Sequence, residues 1–281
     1  MPASPGTWSP PTLSPAWPGK TRHDPVVAVE RKVVLGEREV TRIGLGTNRL
    51  TPENVPFLEA AVAAGIEHVD TAWVYTKGES ESTIGAALAG RSNGVVVATK
   101  GGHAEGTGRP EVLLGQLEES LRRLRRDTIE LYYLHRVDPE TPFEESVGAL
   151  AEAREQGKIR HVGLSQTTVD HLERARPIVP VTAVQNHYNL AERGADDVID
   201  YCAANGIVFV PFFPLRDFGG RPVEEIAARR GATPAQVALA WLLRRAPVML
   251  PIPGTLSLDH AKENLGALEL ELSDADLDAL G

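Results

Sequence analysis

Short apolar runs recur along the chain, separated by segments whose apolar positions repeat at helical spacing. From about residue 26, "VVAVERKVVLGEREVTRIGLG" reads as a β-hairpin turning near Gly36-Glu37, followed by a short strand at 42–46. "HVD" (68–70) precedes a helix from about residue 79. "VVVATK" (95–100) precedes "PEVLLGQLEESLRRL", where Leu114, Leu117, Leu121 and Leu124 fall on one helical face. "IELYYLH" (129–135) precedes a helix from about 143, and "HVGLS" (161–165), "VTAVQ" (181–185), "GIVFVPFF" (206–213) and "VMLPIPG" (248–254) continue the series. A capping box, Thr233-Pro234-Ala235-Gln236, predicts the start of a further helix.

The runs are continuously apolar, as parallel strands covered on both faces must be. Eight strand–helix units in roughly 250 residues match a single (β/α)8 TIM barrel, an α/β fold, here with an N-terminal β-hairpin. Alternation alone also permits an open doubly wound sheet. The polar residues favour the barrel: Asp70, Lys100, His135, Ser165 and Gln185 each end a different strand, whereas an open sheet gathers such residues at one switch point.

Composition narrows the functional classes. The formal net charge of -9 argues against a broad nucleic-acid footprint, which needs a clustered basic face. The dense basic run, "RRLRRD" at 122–127, reads as a helix end, where cations suit the dipole. The lone Cys202 permits no intrachain disulfide and reads as a small buried residue before a Gly stop. No apolar run reaches the ~18 residues of a membrane helix, and no HExxH-like spacing suggests a metal. Residues 1–25 read as a flexible Pro-rich tail without a secretory h-region, leaving 26–281 as the folded domain and the cytoplasm as the expected location.

The segments "GIEHVDTAWVY", "GESESTIG", "VVATKGG", "LYYLHRVDPETPFEES", "IRHVGLSQ", "VQNHYNL" and "IPGTLSLDHAKEN" together resemble the successive signatures of the aldo-keto reductase family, from about residue 39 to the C-terminus. The resemblance implies a catalytic tetrad of Asp70, Tyr75, Lys100 and His135 and a nicotinamide cofactor, NADP(H), lying across the barrel mouth. The residue types suit that chemistry. Hydride transfer to a carbonyl leaves charge on oxygen, which calls for a proton donor and a polarising hydrogen bond. A free phenol, pKa ~10, is a poor proton shuttle near neutral pH, and a nearby ammonium favours its ionised form.

For the cofactor, the Gly44/Gly46 pair is a poor dinucleotide fingerprint, since Arg49 stands at the third glycine position; Gly46 and Thr47 instead read as a tight strand end that approaches the nicotinamide. The resemblance assigns Ser165, Gln166 and Gln185 to the carboxamide and Asp70 to the cofactor's neighbourhood, with Gln166 where relatives carry Asn. Where relatives read "YSPL" this chain has Phe212, Phe213, Pro214 and Leu215; Phe212 can still stack on a nicotinamide, but Phe213 cannot replace the serine hydroxyl. At the last strand, Gly254 and His260 stand where relatives place Lys and Arg for the 2′-phosphate, while Thr255, Glu263 and Asn264 keep the family pattern.

For the substrate, Trp73 is the expected aromatic wall, and "GGHAEGTGRPE" (101–111) is expected to be a mobile loop carrying His103. Arg136, Arg216, Phe218 and Arg221 are candidates for polar substituents. The "VPFFPL", "HRVDP" and "IPGT" segments are similar to the pyridoxal reductase branch, so pyridoxal is a named candidate among small carbonyl substrates. A tailoring ketoreductase, a cofactor-sensing regulatory subunit with little turnover, and a sugar-phosphate isomerase are the alternatives; the last gives no reason for Tyr75 beside Lys100.

Overall fold

The computed structural model describes residues 29–89 and 94–281; the predicted tail at 1–25 lies outside them. The hairpin is β1 (Lys32–Leu35) and β2 (Arg38–Thr41), paired antiparallel with Leu35 opposite Arg38. Gly36 opens its two-residue turn at φ +67°, the sign that a primed turn needs at its first position.

Seven parallel strands follow in sequential order: β3 (Leu45–Gly46), β4 (His68–Asp70), β5 (Val96–Gly101), β6 (Ile129–Leu134), β7 (Ile159–Ser165), β8 (Val181–Gln185) and β9 (Val208–Phe209). Helices α1 (Val55–Ala63), α2 (Glu79–Ala87), α3 (Pro110–Leu124), α4 (Phe143–Glu155), α5 (Val169–Ala175) and α6 (Asp196–Asn205) alternate with them. Then α7 (Arg221–Arg230), α8 (Pro234–Arg245), α9 (Leu258–Gly266) and α10 (Asp274–Leu280) complete the chain. The Thr233 box caps α8 as expected: its hydroxyl accepts from Gln236 N, and its own N–H donates to the Gln236 side chain. Cys202 is buried in α6, which stops at Gly206.

The expected eighth strand differs. Residues 248–254 close the ring through isolated bridges, Phe209 to Met249 and Gly46 to Gly254, rather than a regular ladder. Pro251 and Pro253 face the first strand, where their carbonyls accept from Gly44 N and Gly46 N, but neither has an N–H to return. Half of that ladder is therefore missing.

Two apolar layers result. One lies between strands and helices. The other fills the barrel interior, with Val96, Ala98, Leu131, Tyr133, Ala183 and Val208, and is closed at the N-terminal end by Leu35 and Val40 of the hairpin. Gly163 is bare because a Cβ there would strike the Tyr133 ring at 2.3 Å. The opposite, C-terminal mouth is thereby left as the open end.

Arg42 compensates for the weak closure. Fully buried, it donates to the carbonyls of Leu243 (2.9 Å), Ala246 (2.6 Å), Met249 (3.1 Å) and Glu30 (3.2 Å). It thus ties the first strand to the end of α8 and the closing segment. Burial brings its guanidinium down to about 10, opposed by Glu30, so it stays charged at neutral pH. Replacing Arg42 with Met strands these carbonyls without a donor and is expected to cost about 3 kcal/mol or more in urea unfolding. An unchanged midpoint would mean that water reaches them and that Arg42 is not the clasp.

Candidate active site

Asp70 ends β4, and Lys100 lies near the end of β5 on the same inward face as Ala98, the residue paired with Asp70. Both are buried. The Lys100 ammonium donates to Asp70 Oδ1 at 2.5 Å and to the carbonyl of Thr71 at 2.6 Å. Gln185, at the end of β8, donates its amide to Asp70 Oδ2 at 2.8 Å. Both carboxylate oxygens are satisfied, which a buried ion pair requires if it is not to be a net cost.

Two tyrosines flank that ammonium: the Tyr75 ring centroid lies 5.3 Å from Lys100 Nζ and that of Tyr133 5.8 Å. They are not equivalent. Tyr133 is sealed in the barrel interior, where burial and then Asp70 push its phenol well above the usual value. Tyr75 is half-buried and opens on the mouth. The chain is led there by Thr71 N and Trp73 N, which bond the carbonyls of Ala98 and Lys100 at 2.9 Å each.

The turn after Tyr75 is strained. Thr76 and Lys77 take φ +46° and +53°, a region that residues other than glycine avoid, β-branched ones such as threonine most of all, at about 1–3 kcal/mol each. The Thr76 hydroxyl offsets part of this by donating to Leu50 O and accepting from Ser80 N, both at 2.9 Å. Ser80 in turn donates to Thr47 O at 2.8 Å and meets the Thr71 hydroxyl at 2.7 Å, while Thr47 donates to Asp70 O at 2.8 Å. The serine-rich "GESES" segment thus fixes the start of α2 to the strand ends.

His135 follows β6, its N–H bonded to Gly101 O at 2.7 Å. Its ring lies edge-on to Tyr75 at 6.0 Å and to His103 at 4.6 Å. Burial, then Lys100, His103 and Arg136, bring the imidazole down to about 2, so it is neutral at physiological pH. Its Nδ1 has no hydrogen-bond partner among the described residues.

An open cleft of about 560 Å³ runs from Asp70, Tyr75 and Gln185 past Gly46, Thr47 and Phe212 to Pro214, Leu215, Arg216 and Gly254. Asn48, Arg49, Phe213 and Asp217 also line it and were not among the sequence candidates. Phe212 is backed by His187, stacked at 5.3 Å and 12°, and Arg216 lies 3.7 Å over the Phe213 ring.

Other candidates have work elsewhere. Trp73 donates its indole N–H to Glu119 on α3 at 2.8 Å, with Arg123 over its ring. Glu263 accepts from the Thr233 hydroxyl at 2.6 Å, at the start of α8. His260 is exposed on α9, while Thr255 and Asn264 are buried beside it, and none of the three lines the cleft. Ser165 is buried opposite Gln185, and Gln166 reaches the carbonyl of His135 at 3.4 Å. Arg221 pairs with Glu225 on the surface of α7. The 101–111 segment is anchored rather than loose: Asp138 accepts from Gly106 N and Gly108 N, and Gln116 from Gly102 N. Among the described residues no cluster of potential metal ligands occurs, and no helix is long and apolar enough to cross a membrane.

The model of the Aldo/keto reductase family matches residues 42–281. A pyridoxine 4-dehydrogenase of Escherichia coli is 37% identical, the match covering 88% of this chain and 96% of that protein. An uncharacterized oxidoreductase of Schizosaccharomyces pombe is 36% identical over 86% of each chain. Among solved structures, an aldo/keto reductase from Klebsiella pneumoniae in complex with NADP and acetate has a TM-score of 0.82 at 30% identity, covering 90% of this chain and 94% of its own.

The depressed His135 value has a sign that can be tested. Between about pH 2 and 6.5 the unfolded chain binds a proton that the folded site refuses, so His135 leaves stability intact above 6.5 and erodes it as pH falls. The His135 ring resonances are expected to stay flat from about pH 5 to about pH 8 by NMR, and His135→Gln should soften the acid limb of stability. A His135 ring titrating near its ordinary value would contradict this environment.

Proposed function

The chain belongs to the aldo/keto reductase family, and from that premise we propose that it reduces an aldehyde or ketone to an alcohol, with NADPH as reductant and Tyr75 as proton donor. The observation that carries the assignment is the difference between the two tyrosines beside Lys100: Tyr75 alone of them opens on the cleft. The cleft also fits the cofactor. Its volume lies in the range of small-molecule sites, it is elongated between strand ends, and it pairs an aromatic face at Phe212 with glycine backbone at Gly46 and Gly254.

When bound, the dihydronicotinamide supplies the hydride. The chain's own residues do the rest. Tyr75 gives its phenolic proton to the developing alkoxide, and the Lys100 ammonium stabilises the phenolate left behind. Asp70 and Gln185 hold Lys100 in place. A neutral His135 can donate one hydrogen bond to the carbonyl oxygen without competing for the proton that Tyr75 delivers. Ser165 and Gln166 border the same strand ends and are assigned to the carboxamide.

The relation to a pyridoxine 4-dehydrogenase supports pyridoxal as the first substrate to try, and reduction to pyridoxine as the direction. NADPH is preferred over NADH on the precedent of the Klebsiella pneumoniae structure, although Gly254 and His260 supply no fixed cation for the 2′-phosphate. A cytoplasmic location suits such a reaction.

Following NADPH oxidation by absorbance, with pyridoxal and a panel of aldehydes, is expected to give turnover that falls at least about 100-fold in Tyr75→Phe. NADPH binding, read by fluorescence, should be retained in that variant. Full activity in Tyr75→Phe would remove Tyr75 from the mechanism, and absence of nicotinamide binding by the wild type would overturn the reductase reading.

A further inference from the structure

Two arginine side chains line the cleft, Arg49 on the loop after β3 and Arg216 on the loop after β9. Those two strands flank the closing segment, which bridges β3 through Gly46 and Gly254 and β9 through Phe209 and Met249. The closing segment itself brings Gly254 to the cleft, a residue with no side chain to offer, and His260 lies outside it. Neither arginine makes an ion pair or a side-chain hydrogen bond among the described residues. Asp217 lines the cleft as well and is not paired with Arg216. The arginines outnumber it, because the other cleft acid, Asp70, is matched by Lys100.

Arg216 is held in place. Its guanidinium lies 3.7 Å over the centroid of the Phe213 ring. Phe213 is fixed in turn: at φ +52° its carbonyl accepts from Arg216 N at 3.1 Å and from the Asn189 amide at 2.9 Å, and its ring meets that of Phe212 edge-on at 5.2 Å. A guanidinium that stacks through its face keeps the N–H donors in its plane free for a second partner.

Resting on the reductase reading, we propose that Arg216, seated on Phe213, takes a phosphate group of the nicotinamide dinucleotide, the charge that Gly254 and His260 leave without a fixed cation. A planar guanidinium can donate two parallel hydrogen bonds to phosphate oxygens, and Arg49 adds positive charge from the other loop. The phenylalanine that removes a hydroxyl from this wall thus supplies the platform for a stronger phosphate ligand. Holding the side chain there beforehand lowers the ordering cost of binding. Two phosphates share this chemistry: the pyrophosphate common to NADPH and NADH, and the 2′-phosphate of NADPH alone.

The test is a fluorescence titration of NADPH and of NADH, without substrate, in the wild type, Arg216→Gln and Phe213→Leu. Arg174→Gln, which breaks a surface pair with Glu144 away from the cleft, is the control. The Kd for NADPH is expected to rise about tenfold in Arg216→Gln. In Phe213→Leu it should rise about two- to fivefold, because the guanidinium remains but loses its platform. The Arg216→Gln loss should shrink as salt is raised, as a charge contact does and a packing defect does not. Equal loss for both dinucleotides assigns Arg216 to the pyrophosphate; loss confined to NADPH assigns it to the 2′-phosphate. Affinities lowered no more in Arg216→Gln than in Arg174→Gln would overturn the proposal and leave the reductase reading standing. A wild type that binds neither dinucleotide would sink both.

Discussion

The site depends on one buried ion pair, Lys100 to Asp70. Removing either partner of such a pair strands a charge in a medium that solvates it poorly, at a cost of about 3–5 kcal/mol. The pair is tolerable because its hydrogen-bonding capacity is filled from two sides: the Thr71 carbonyl beside it, and Gln185 from across the barrel lumen. Strands β4, β5 and β8 are thus joined at their ends by polar contacts, where the apolar interior stops. The position of Tyr75 follows from this arrangement, because residues 71–73 are bonded along the end of β5 before the chain turns back over the ammonium.

The rest of the barrel serves to make that mouth the open end. The hairpin fills the opposite opening with Leu35 and Val40, and Tyr133 occupies the lumen beneath Lys100 because Gly163 leaves it room. The same interior distinguishes the two tyrosines. A phenol enclosed by apolar side chains cannot exchange a proton with a ligand it never touches, whatever its distance from the ammonium. The proline-weakened eighth segment is a local cost of closing the ring, and the buried Arg42 meets it by supplying donors from a side chain where the backbone has none.

The parts of this legible in the sequence were those with local causes. Strand ends stood out because Asp70, Lys100 and His135 interrupt apolar runs, and α8 announced its start through a side chain three residues from its cap. What escaped depended on partners far along the chain. Asp138 anchors a glycine-rich loop about thirty residues before it, so composition suggested mobility where hydrogen bonds impose order. Glu263, a candidate for the cofactor, also accepts from the Thr233 hydroxyl thirty residues before it, a contact that no local pattern signals. The left-handed turn at Thr76 and Lys77 was hidden for a different reason: neither residue type signals that conformation, and the bonds made by the Thr76 hydroxyl help to hold it.

A division of labour follows from burial. Asp70, Lys100 and His135 lie at or just past the ends of three strands, with Tyr75 on the turn after the first of them, and changing Asp70 or Lys100 disturbs the buried ion pair and with it the fold. Arg49 and Arg216, which line the cleft, are exposed, and exposed charges contribute little to stability, typically about 1 kcal/mol or less. Arg216 gains its order from stacking on Phe213, itself held at φ +52° by a bond from Asn189 to its carbonyl. Residues of this second kind can be exchanged at small cost to folding. Differences in ligand preference within the barrel should therefore reside in these rim cations, and the buried pair, which the fold cannot easily do without, should carry none of them.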